Sequence, residues 1–388
     1  METTGKFISL VKDLFINKEL ISLHEPIFIG NERKYLLDAI DSTFVSSVGQ
    51  YVNRFEEMIA RISGSKYAVA TVNGTAALHT ALLVSGVKRG DIVISQALTF
   101  VATCNAISYI GASNVFVDVD IETLGMSPDS LLKWLEKNTI FKTNPDTGLK
   151  SSYYKNTNQR ISAIVPMHTF GHSCRIDKIS DIASEYHIPL IEDAAESIGS
   201  YFKGKHTGSF GKVGVFSFNG NKTVTSGGGG AIVTDDEQIA KLAKHLTTQA
   251  KVPHQWDFFH DSIGYNYRMP NLNAALACAQ LEQLDLYVKN KRELADIYLD
   301  FFRQTEDIKF VVEPMHNESN YWLCSIRLKD KTERDKFLKE TNENSVMTRP
   351  AWTLMSELPM FRNSVHDGLP SSIEIAQTLV NIPSGVRL

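Results

Sequence analysis

The sequence predicts an α/β fold, with a large lobe built on a mostly parallel sheet and a smaller C-terminal α+β lobe. Two observations carry this prediction. A chain of 388 residues exceeds the usual size of one domain. Between residues 66 and 235, short runs rich in Val, Ile and Phe alternate with segments of helical spacing or glycine-rich turns, which favours parallel strands covered by helices on both faces. The runs are YAVATV, DIVIS, NVFVDVD, ISAIVPM, IPLIE, VGVFSF and GAIVT.

The segments around these runs complete the prediction in chain order. Residues 30–62 have helical apolar spacing around a loop, TFVSSVGQYV. Residues 141–160 are polar and rich in turn formers, which is typical of a surface insertion. Residues 271–305 contain few helix breakers and predict one long helix, and residues 307–388 predict shorter mixed elements.

We therefore divide the chain into an N-terminal segment (1–29), a large domain (30–265), and a long helix with a small C-terminal domain (266–388). The composition, with 43% hydrophobic and 22% charged residues, is that of a globular protein. Because the net charge is −4, no overall cationic field attracts nucleic acid or anionic lipid. No apolar run approaches the roughly 18 residues of a membrane helix.

The first fifteen residues and the cysteines bear on location. Residues 7–15 have helical spacing, but Lys12 and Asp13 interrupt the apolar run and no small-residue cleavage site follows, so they do not resemble a signal peptide. The four cysteines are widely spaced, without a C-x-x-C pair, which favours reduced and mostly buried thiols. We expect a cytoplasmic protein.

The first motif with chemical meaning is VNGTAALHTAL at 72–82. A strand ends there, Gly74 permits an unusual turn, and Thr75 and Ala76 open a helix. The free N–H groups and the positive end of a helix form a phosphate site. A purely structural turn between strand and helix is an equally good interpretation of this motif alone.

Two further motifs carry a carboxylate and an amine. Asp193 follows the apolar run IPLIE, at the sheet edge where ligands of parallel sheets bind, and it can keep a pyridine nitrogen protonated. Lys222 lies in FSFNGNKTVTSGGGG, where shielding from water would favour a nucleophilic amine. Alone, Asp193 is more typical of a helix cap or ion pair, and Lys222 of a solvated loop.

The fourth motif is GYNYRMPNLNAAL at 264–276, in which Asn266 and Arg268 precede a helix. In this order, phosphate turn, aspartate, lysine and asparagine, the four motifs resemble the DegT/DnrJ/EryC1/StrS family of sugar aminotransferases, from about residue 22 to the C-terminus. The resemblance implies the fold type I aminotransferase architecture, with a mostly parallel seven-stranded sheet in the large domain.

The resemblance also implies pyridoxal 5′-phosphate as cofactor, bound as an internal aldimine with Lys222, and catalysis by Lys222 and Asp193. Asp193 would pair with the pyridine nitrogen, and Phe100 would stack on the ring. Asn266 matches a residue that the family supplies from the neighbouring subunit, which implies a homodimer with shared active sites. The positions that match the cofactor site are Gly74, Thr75, Ala76, Phe100, Asp193, Glu196, Ser217, Lys222 and Asn266.

Glu196 departs from the Gln or His that many relatives carry three positions after the aspartate. The stretches HEPIFIGNE, DSTFVSSVGQYV, MHTFGHSCRID and MTRPAWTLM are similar to enzymes that aminate C4 of a UDP-linked 4-keto-6-deoxy-N-acetylhexosamine, on routes to bacillosamine and legionaminic acid. The implied reaction moves an amino group from L-glutamate to that ketone and gives a UDP-4-amino-4,6-dideoxy sugar. Arg349 and Trp352 are candidate substrate contacts.

Several alternatives stay open. GDP-4-keto-6-deoxymannose, as in perosamine synthesis, is the main rival substrate, and C3 in place of C4 is another. Dehydratase relatives replace the cofactor lysine by His, which this chain does not. A non-catalytic sugar-nucleotide binder would be expected to have a damaged site, and an unrelated nucleotide-binding enzyme lacks support from any G-x-G-x-x-G motif. His168 and His172 have no evident third partner, so we expect no metal site.

Overall fold

The computed structural model describes residues 2–143 and 148–387. Its helices, in chain order, are α1 (Glu2–Leu14), α2 (Glu32–Asp41), α3 (Gln50–Ser63), α4 (Gly74–Val84), α5 (Val101–Ile110), α6 (Pro128–Asn138), α7 (Ile176–Glu185), α8 (Glu237–Thr247), α9 (Asn271–Leu281), α10 (Leu284–Phe302), α11 (Lys331–Glu343) and α12 (Pro370–Thr378). Short 3₁₀ turns span Thr169–Gly171 and Met355–Glu357.

The strands are mostly short, and those of the main sheet are largely buried. In chain order they are β1 (Tyr67–Thr71), β2 (Ile92–Gln96), β3 (Ser113–Val117), β4 (Thr139–Thr143), β5 (Lys150–Tyr154), β6 (Ile161–Val165), β7 (Ile191–Asp193), β8 (Tyr201–Phe202), β9 (Lys205–His206), β10 (Val213–Ser217), β11 (Gly230–Thr234), β12 (Ile308–Phe310), β13 (Asn317–Glu318), β14 (Cys324–Leu328), β15 (Arg349–Pro350), β16 (Val365–His366) and β17 (Leu379–Ile382).

The main sheet has the order β1-β11-β10-β7-β6-β2-β3, with the short β16 beyond β3. Bridges at Ile164 with Leu190 and at Met167 with Asp193 join β6 to β7. Each of the seven strands from β1 to β3 in this order corresponds to one of the seven apolar runs. Only β11 within this sheet is antiparallel to its neighbours. The predicted mostly parallel seven-stranded sheet is therefore confirmed.

Helices cover both faces of this sheet, as predicted. On one face α4, α5 and α8 bury apolar side chains such as Ala81, Ile107 and Ile239 against the strands. The other face is covered by α6 and α7 near β2 and β6, and by α3 and α9 near β1 and β11. Removing this much apolar surface from water is the main source of stability for the large unit.

The C-terminal part contains an antiparallel sheet with the order β12-β14-β17-β15. Helix α1 packs into its core, where Phe7 contacts Tyr298 and Phe337. Helix α10 joins the two units, since Tyr287 belongs to the core of the large unit and Tyr298 to that of the small unit. The division at residue 266 stays a prediction.

The prediction of one helix over 271–305 is wrong, because α9 ends at Leu281 and α10 begins at Leu284. No glycine or proline causes the break. Instead the Glu282 carboxylate accepts hydrogen bonds from three side chains. Asn31 directly precedes α2, Tyr35 lies in α2, and Arg54 lies in α3. These tertiary contacts outweigh the helical propensity of the segment.

The predicted surface insertion forms an antiparallel hairpin of β4 and β5. Residues 144–147 of the insertion lie outside the described residues. The four cysteines are buried and unpaired, as predicted. Within residues 2–143 and 148–387, no helix combines the length and apolar character needed to cross a membrane.

Candidate active site

A cavity of about 340 Å³ opens at the carboxyl ends of β7 and β10, beside the N-termini of α4 and α5. This is the edge of a parallel sheet at which ligands bind. The cavity brings together seven of the nine predicted cofactor-site residues. Those seven are Gly74, Thr75, Phe100, Asp193, Glu196, Ser217 and Lys222.

Asp193 is the last residue of β7, and its carboxyl group is almost completely buried. Its Oδ2 accepts a hydrogen bond of 2.6 Å from Thr103 Oγ1, and its Oδ1 accepts one of 3.2 Å from the Ala195 N–H. Burial raises the pKa of Asp193, while the Thr103 and Ala195 donors lower it and so oppose that effect. The site therefore holds a fixed carboxyl group at one wall of the cavity.

Lys222 lies in the loop after β10 and is 12% exposed. Its Nζ lies 3.3 Å from Glu196 Oε1 and 3.8 Å from the centroid of the Trp322 ring. An ion pair and a cation–π contact therefore hold the amine inside the cavity. Burial raises the pKa of Glu196 to about 7, although the nearby Lys222 charge lowers it.

The N-terminus of helix α4 forms the candidate phosphate-binding part of the cavity. The Asn73 side chain caps this helix by accepting the Ala76 N–H at 2.8 Å. Gly74 and Thr75 line the cavity, and the first N–H groups of a helix have no partner within the helix, so theirs can bind an anion there. Ala76 does not line the cavity and its N–H is occupied, which argues against direct use of its N–H by a phosphate.

Gly74 is required for a different reason than the sequence suggested. Its φ is not in the left-handed region, so no unusual turn is present. A Cβ at Gly74 would lie 2.8 Å from Ser217 Cβ and 3.1 Å from Ser217 Oγ. Close approach of α4 to the end of β10 therefore excludes a side chain, and it brings Ser217 next to the helix N-terminus.

Aromatic side chains form the remaining wall. Phe100, half exposed at the start of α5, lies 6.2 Å from Trp352 between ring centroids. Trp352 also packs on Phe170 at 4.9 Å. The rings of Phe100 and Trp352, inclined to each other by 57°, present apolar surface to the cavity, and the Trp322 ring lies beneath the Lys222 amine.

Other predicted residues lie elsewhere. Asn266 is exposed and does not line the cavity of its own chain. Arg349 bonds Asn342 and the Thr348 carbonyl, outside the cavity. His168 is buried 2.9 Å from Glu192, and His172 is buried against the Tyr321 ring. Among the described residues, no three His, Cys, Asp or Glu side chains converge as metal ligands would.

Sequence reasoning missed Thr103, Asn73 and Trp322. The spacing of Thr103, three residues after Phe100 at a helix start, could have pointed to the cavity. Asn73 could have been recognised as a helix cap. Trp322 comes from the C-terminal unit, a hundred residues after Lys222, and no local pattern connects the two.

Pyridoxal phosphate fits these residues. Its phosphate matches the N–H groups of Gly74 and Thr75, and its pyridine ring matches a cavity lined by aromatic rings and a buried carboxyl group. Its aldehyde requires an amine that is shielded from bulk water, and Lys222 provides one. No part of the donor set conflicts with this cofactor.

Comparison with known proteins gives a consistent result. Residues 27–388 match the DegT/DnrJ/EryC1/StrS aminotransferase family. The chain is 36% identical over 369 residues to the GDP-perosamine synthase of Escherichia coli O157:H7, covering 94% of this chain and 93% of that protein. It is also 36% identical over 341 residues to EpsN of Bacillus subtilis strain 168, which carries the provisional name of a pyridoxal phosphate-dependent aminotransferase, covering 88% of this chain and 84% of EpsN.

Among solved structures, the aminotransferase TlmJ from Streptoalloteichus hindustanus superimposes with a TM-score of 0.83 at 24% identity. The match covers 94% of this chain and 93% of TlmJ, and it shows a shared fold. The chain therefore belongs to the DegT/DnrJ/EryC1/StrS aminotransferase family, and it is a pyridoxal-phosphate-dependent sugar aminotransferase.

Proposed function

We propose that this enzyme transfers an amino group from L-glutamate to the C4 ketone of a UDP-linked 4-keto-6-deoxy-N-acetylhexosamine. The product is a UDP-linked 4-amino-4,6-dideoxy sugar. The observation that carries the proposal is the convergence of the Lys222 amine, the buried Asp193 carboxyl group and the α4 N-terminus on one cavity. These three groups are what transamination needs: a base, a partner for a ring nitrogen and a phosphate anchor.

When bound, pyridoxal phosphate supplies a carbonyl that carries the amino group and a ring that accepts electron density. The Lys222 amine would serve as the base that takes a proton from the α-carbon of the amino donor, and it would return a proton in the half-reaction with the sugar. Asp193, whose orientation is fixed by its two hydrogen bonds, would hold the ring nitrogen of the cofactor protonated. Gly74, Thr75 and Ser217, which line the cavity, would hold the phosphate and thereby align the proton path.

The nucleotide is the finer part of the proposal. Support for UDP comes from the four resembling stretches, two of which contribute to the cavity or its wall, MHTFGHSCRID through Met167 and Phe170 and MTRPAWTLM through Trp352. A second candidate substrate is GDP-4-keto-6-deoxymannose. It is supported by the name of the GDP-perosamine synthase to which the chain is 36% identical over 369 residues.

We further infer a homodimer with shared active sites. Asn266 is exposed and lies outside the cavity of its own chain, where it remains available to the site of a second copy. The neighbouring loop carries large apolar side chains that are 62–85% exposed, as expected of a surface that a partner covers. These side chains are Trp256, Phe258, Phe259 and Ile263. The free, buried cysteines also support a cytoplasmic location.

An absorbance titration tests the proposal. Purified protein loaded with pyridoxal phosphate is scanned between about 300 and 500 nm, given L-glutamate, and then given either UDP-4-keto-6-deoxy-N-acetylglucosamine or GDP-4-keto-6-deoxymannose. We expect glutamate to bleach the cofactor band and the UDP-sugar to restore it, with the aminated sugar found by mass spectrometry. Restoration by the GDP-sugar alone would replace the UDP substrate, and failure of both sugars would contradict the proposal.

Lys222→Ala is the matched variant for this titration. We expect it to lose turnover completely, since no other described lysine lines the cavity. Normal steady-state turnover by Lys222→Ala would contradict the role of this residue. Lys203→Ala, which removes a half-exposed surface lysine paired with Asp177, is the control and should be as active as the unchanged enzyme.

A further inference from the structure

Glu196 is held more firmly than an incidental carboxylate. Its Oε2 accepts the Phe170 N–H at 2.9 Å, and Phe170 has the left-handed φ of 57° within the turn Thr169–Gly171. Its backbone carbonyl accepts a hydrogen bond from Asn320 Nδ2, and the same amide group lies 3.3 Å from the hydroxyl oxygen of Thr223, next to Lys222. The structure thus ties the backbone of Glu196 to the loop that carries the lysine.

The second oxygen of this carboxyl group, Oε1, faces the Lys222 amine. Glu196 Oε1 lies 3.3 Å from Lys222 Nζ, and among the described residues Glu196 is the one carboxylate within 4.0 Å of that atom. Asp193 is occupied by Thr103 and Ala195. Trp322 offers the lysine only its ring face, which cannot accept a proton as a base.

The other charged groups nearby do not compensate Glu196 once the lysine is neutral. Asp193 raises the proton affinity of Glu196. Burial, together with the charges of Lys291 and Lys222, keeps the pKa of His24 well below its usual range, so His24 supplies no positive charge. Lys291 is itself buried and bonds the carbonyls of Trp322 and Ser384. A buried carboxylate without a counter-charge is costly, and it takes up a proton.

We propose that Glu196 is a catalytic residue that accepts a proton from Lys222 each time the lysine becomes a free amine. In this step an Nζ–H bond of the ammonium breaks and an Oε1–H bond of the carboxylic acid forms. The ammonium becomes the nucleophilic amine, and no further reactant is needed. The proton returns to Lys222 by the reverse transfer. The inference rests on the proposed role of Lys222, but it does not depend on which sugar is the substrate.

The test uses the first reaction of Lys222, which needs no sugar. Pyridoxal phosphate is mixed with cofactor-free, full-length protein, and growth of the visible cofactor band is followed by stopped flow between about pH 5.5 and 9. In the unchanged protein we expect the rate to rise through an inflection near neutral pH. Glu196→Gln keeps the shape of the side chain but cannot ionise, so we expect loss of the inflection and a rate at least about tenfold lower.

Two further variants separate proton transfer from packing. Glu196→Ala should be slow, and added sodium formate should raise its rate, because a small carboxylate can occupy the vacated space; a purely structural loss would not respond to formate. Asp177→Asn removes the carboxylate of a surface lysine pair, Lys203–Asp177, and should leave rate and inflection unchanged.

Equal rates and the same inflection in Glu196→Gln and the unchanged protein would overturn the inference. A slow Glu196→Ala that formate does not accelerate, together with a Glu196→Gln that retains the inflection, would also overturn it. Normal band formation without turnover of either nucleotide sugar would instead contradict the proposed function and leave this inference standing.

Discussion

Thr103 Oγ1 donates a 2.6 Å hydrogen bond to Asp193 Oδ2. The two residues belong to different βα units, since Thr103 lies in the first turn of α5 and Asp193 at the end of β7. Thr99 Oγ1 lies 3.0 Å from Thr103 Oγ1 and fixes that hydroxyl in turn. One oxygen of the buried carboxyl group is therefore already satisfied by protein, and its position is set by helix α5.

The first prediction concerns this hydrogen bond. Thr103→Val keeps the shape of the side chain but removes the donor, so the pKa of Asp193 should rise further and its ionised form should become less populated. A hydrogen bond to a charged group is worth about 1.5–3 kcal/mol. We expect pyridoxal phosphate to bind about ten- to a hundredfold more weakly, as measured by equilibrium absorbance titration. Thr103→Ser should bind the cofactor nearly as tightly as the unchanged enzyme, and unchanged affinity in Thr103→Val would refute this role of the hydroxyl.

The second prediction concerns the approach of α4 to β10. Gly74→Ala introduces a Cβ at 2.8 Å from Ser217 Cβ, so the helix N-terminus or Ser217 must move. Overpacking of this kind costs about 1–3 kcal/mol. We expect a lower melting temperature of the cofactor-free protein and weaker cofactor binding, measured by calorimetry and titration.

Gly228→Ala is the matched control for Gly74→Ala. It lies in the glycine run after Lys222, its φ is not in the left-handed region, and the nearest atom to an added Cβ is the Val72 carbonyl oxygen at 3.8 Å. We expect little change in either measurement. Equal losses in the two variants would show that any side chain near the cavity is harmful and would remove the specific explanation.

The sequence predicted the sheet well because each of its strands is a separate run of buried apolar residues. It also predicted that Asp193, Lys222 and Thr75 share a site, and the three residues line one cavity because the carboxyl ends of parallel strands meet at one edge. The antiparallel direction of β11 could not be read from GAIVT, because a fully buried strand has the same composition in either direction.

The rest of the site required tertiary information. Trp322 reaches Lys222 from the C-terminal unit, and nothing in the local sequence indicates that encounter. Ala76 matched a family position, yet the Asn73 cap occupies its N–H, which only the geometry reveals. The break between α9 and α10 likewise depends on Glu282, whose partners lie more than two hundred residues earlier in the chain.

The third prediction concerns Lys291, which is fully buried and has no carboxylate partner within 4.0 Å among the described residues. Burial lowers its pKa from 10.5 to about 7. Between these values the unfolded chain binds more protons than the folded chain, so the free energy of unfolding should increase with pH, and the penalty is fully present only below about pH 7.

Lys291→Met isolates this effect because methionine fills similar space without a charge. Relative to Lys291→Met, the unchanged protein should gain on the order of 2 kcal/mol of stability between about pH 7.5 and 9.5, measured from urea unfolding curves of the cofactor-free form. Parallel pH dependences in the two proteins would show that Lys291 does not titrate differently in the folded state.

The fourth prediction concerns the proposed sharing of active sites. Lys222→Ala and Asn266→Ala should each be weak or inactive alone at limiting cofactor. If Asn266 completes the partner's site, a hybrid dimer contains one site with both original residues, formed by Lys222 of one subunit and Asn266 of the other. Co-refolding equal amounts of the two variants should then restore about a quarter of the activity of the unchanged enzyme, because half of the dimers are hybrids with one intact site each.

Mixing Lys222→Ala with Asp193→Ala provides the control, since both residues lie in the same chain's cavity and no hybrid site is intact. Recovery in the first mixture and not in the second would establish that Asn266 acts across the interface, whereas equal failure of both mixtures would show that it does not.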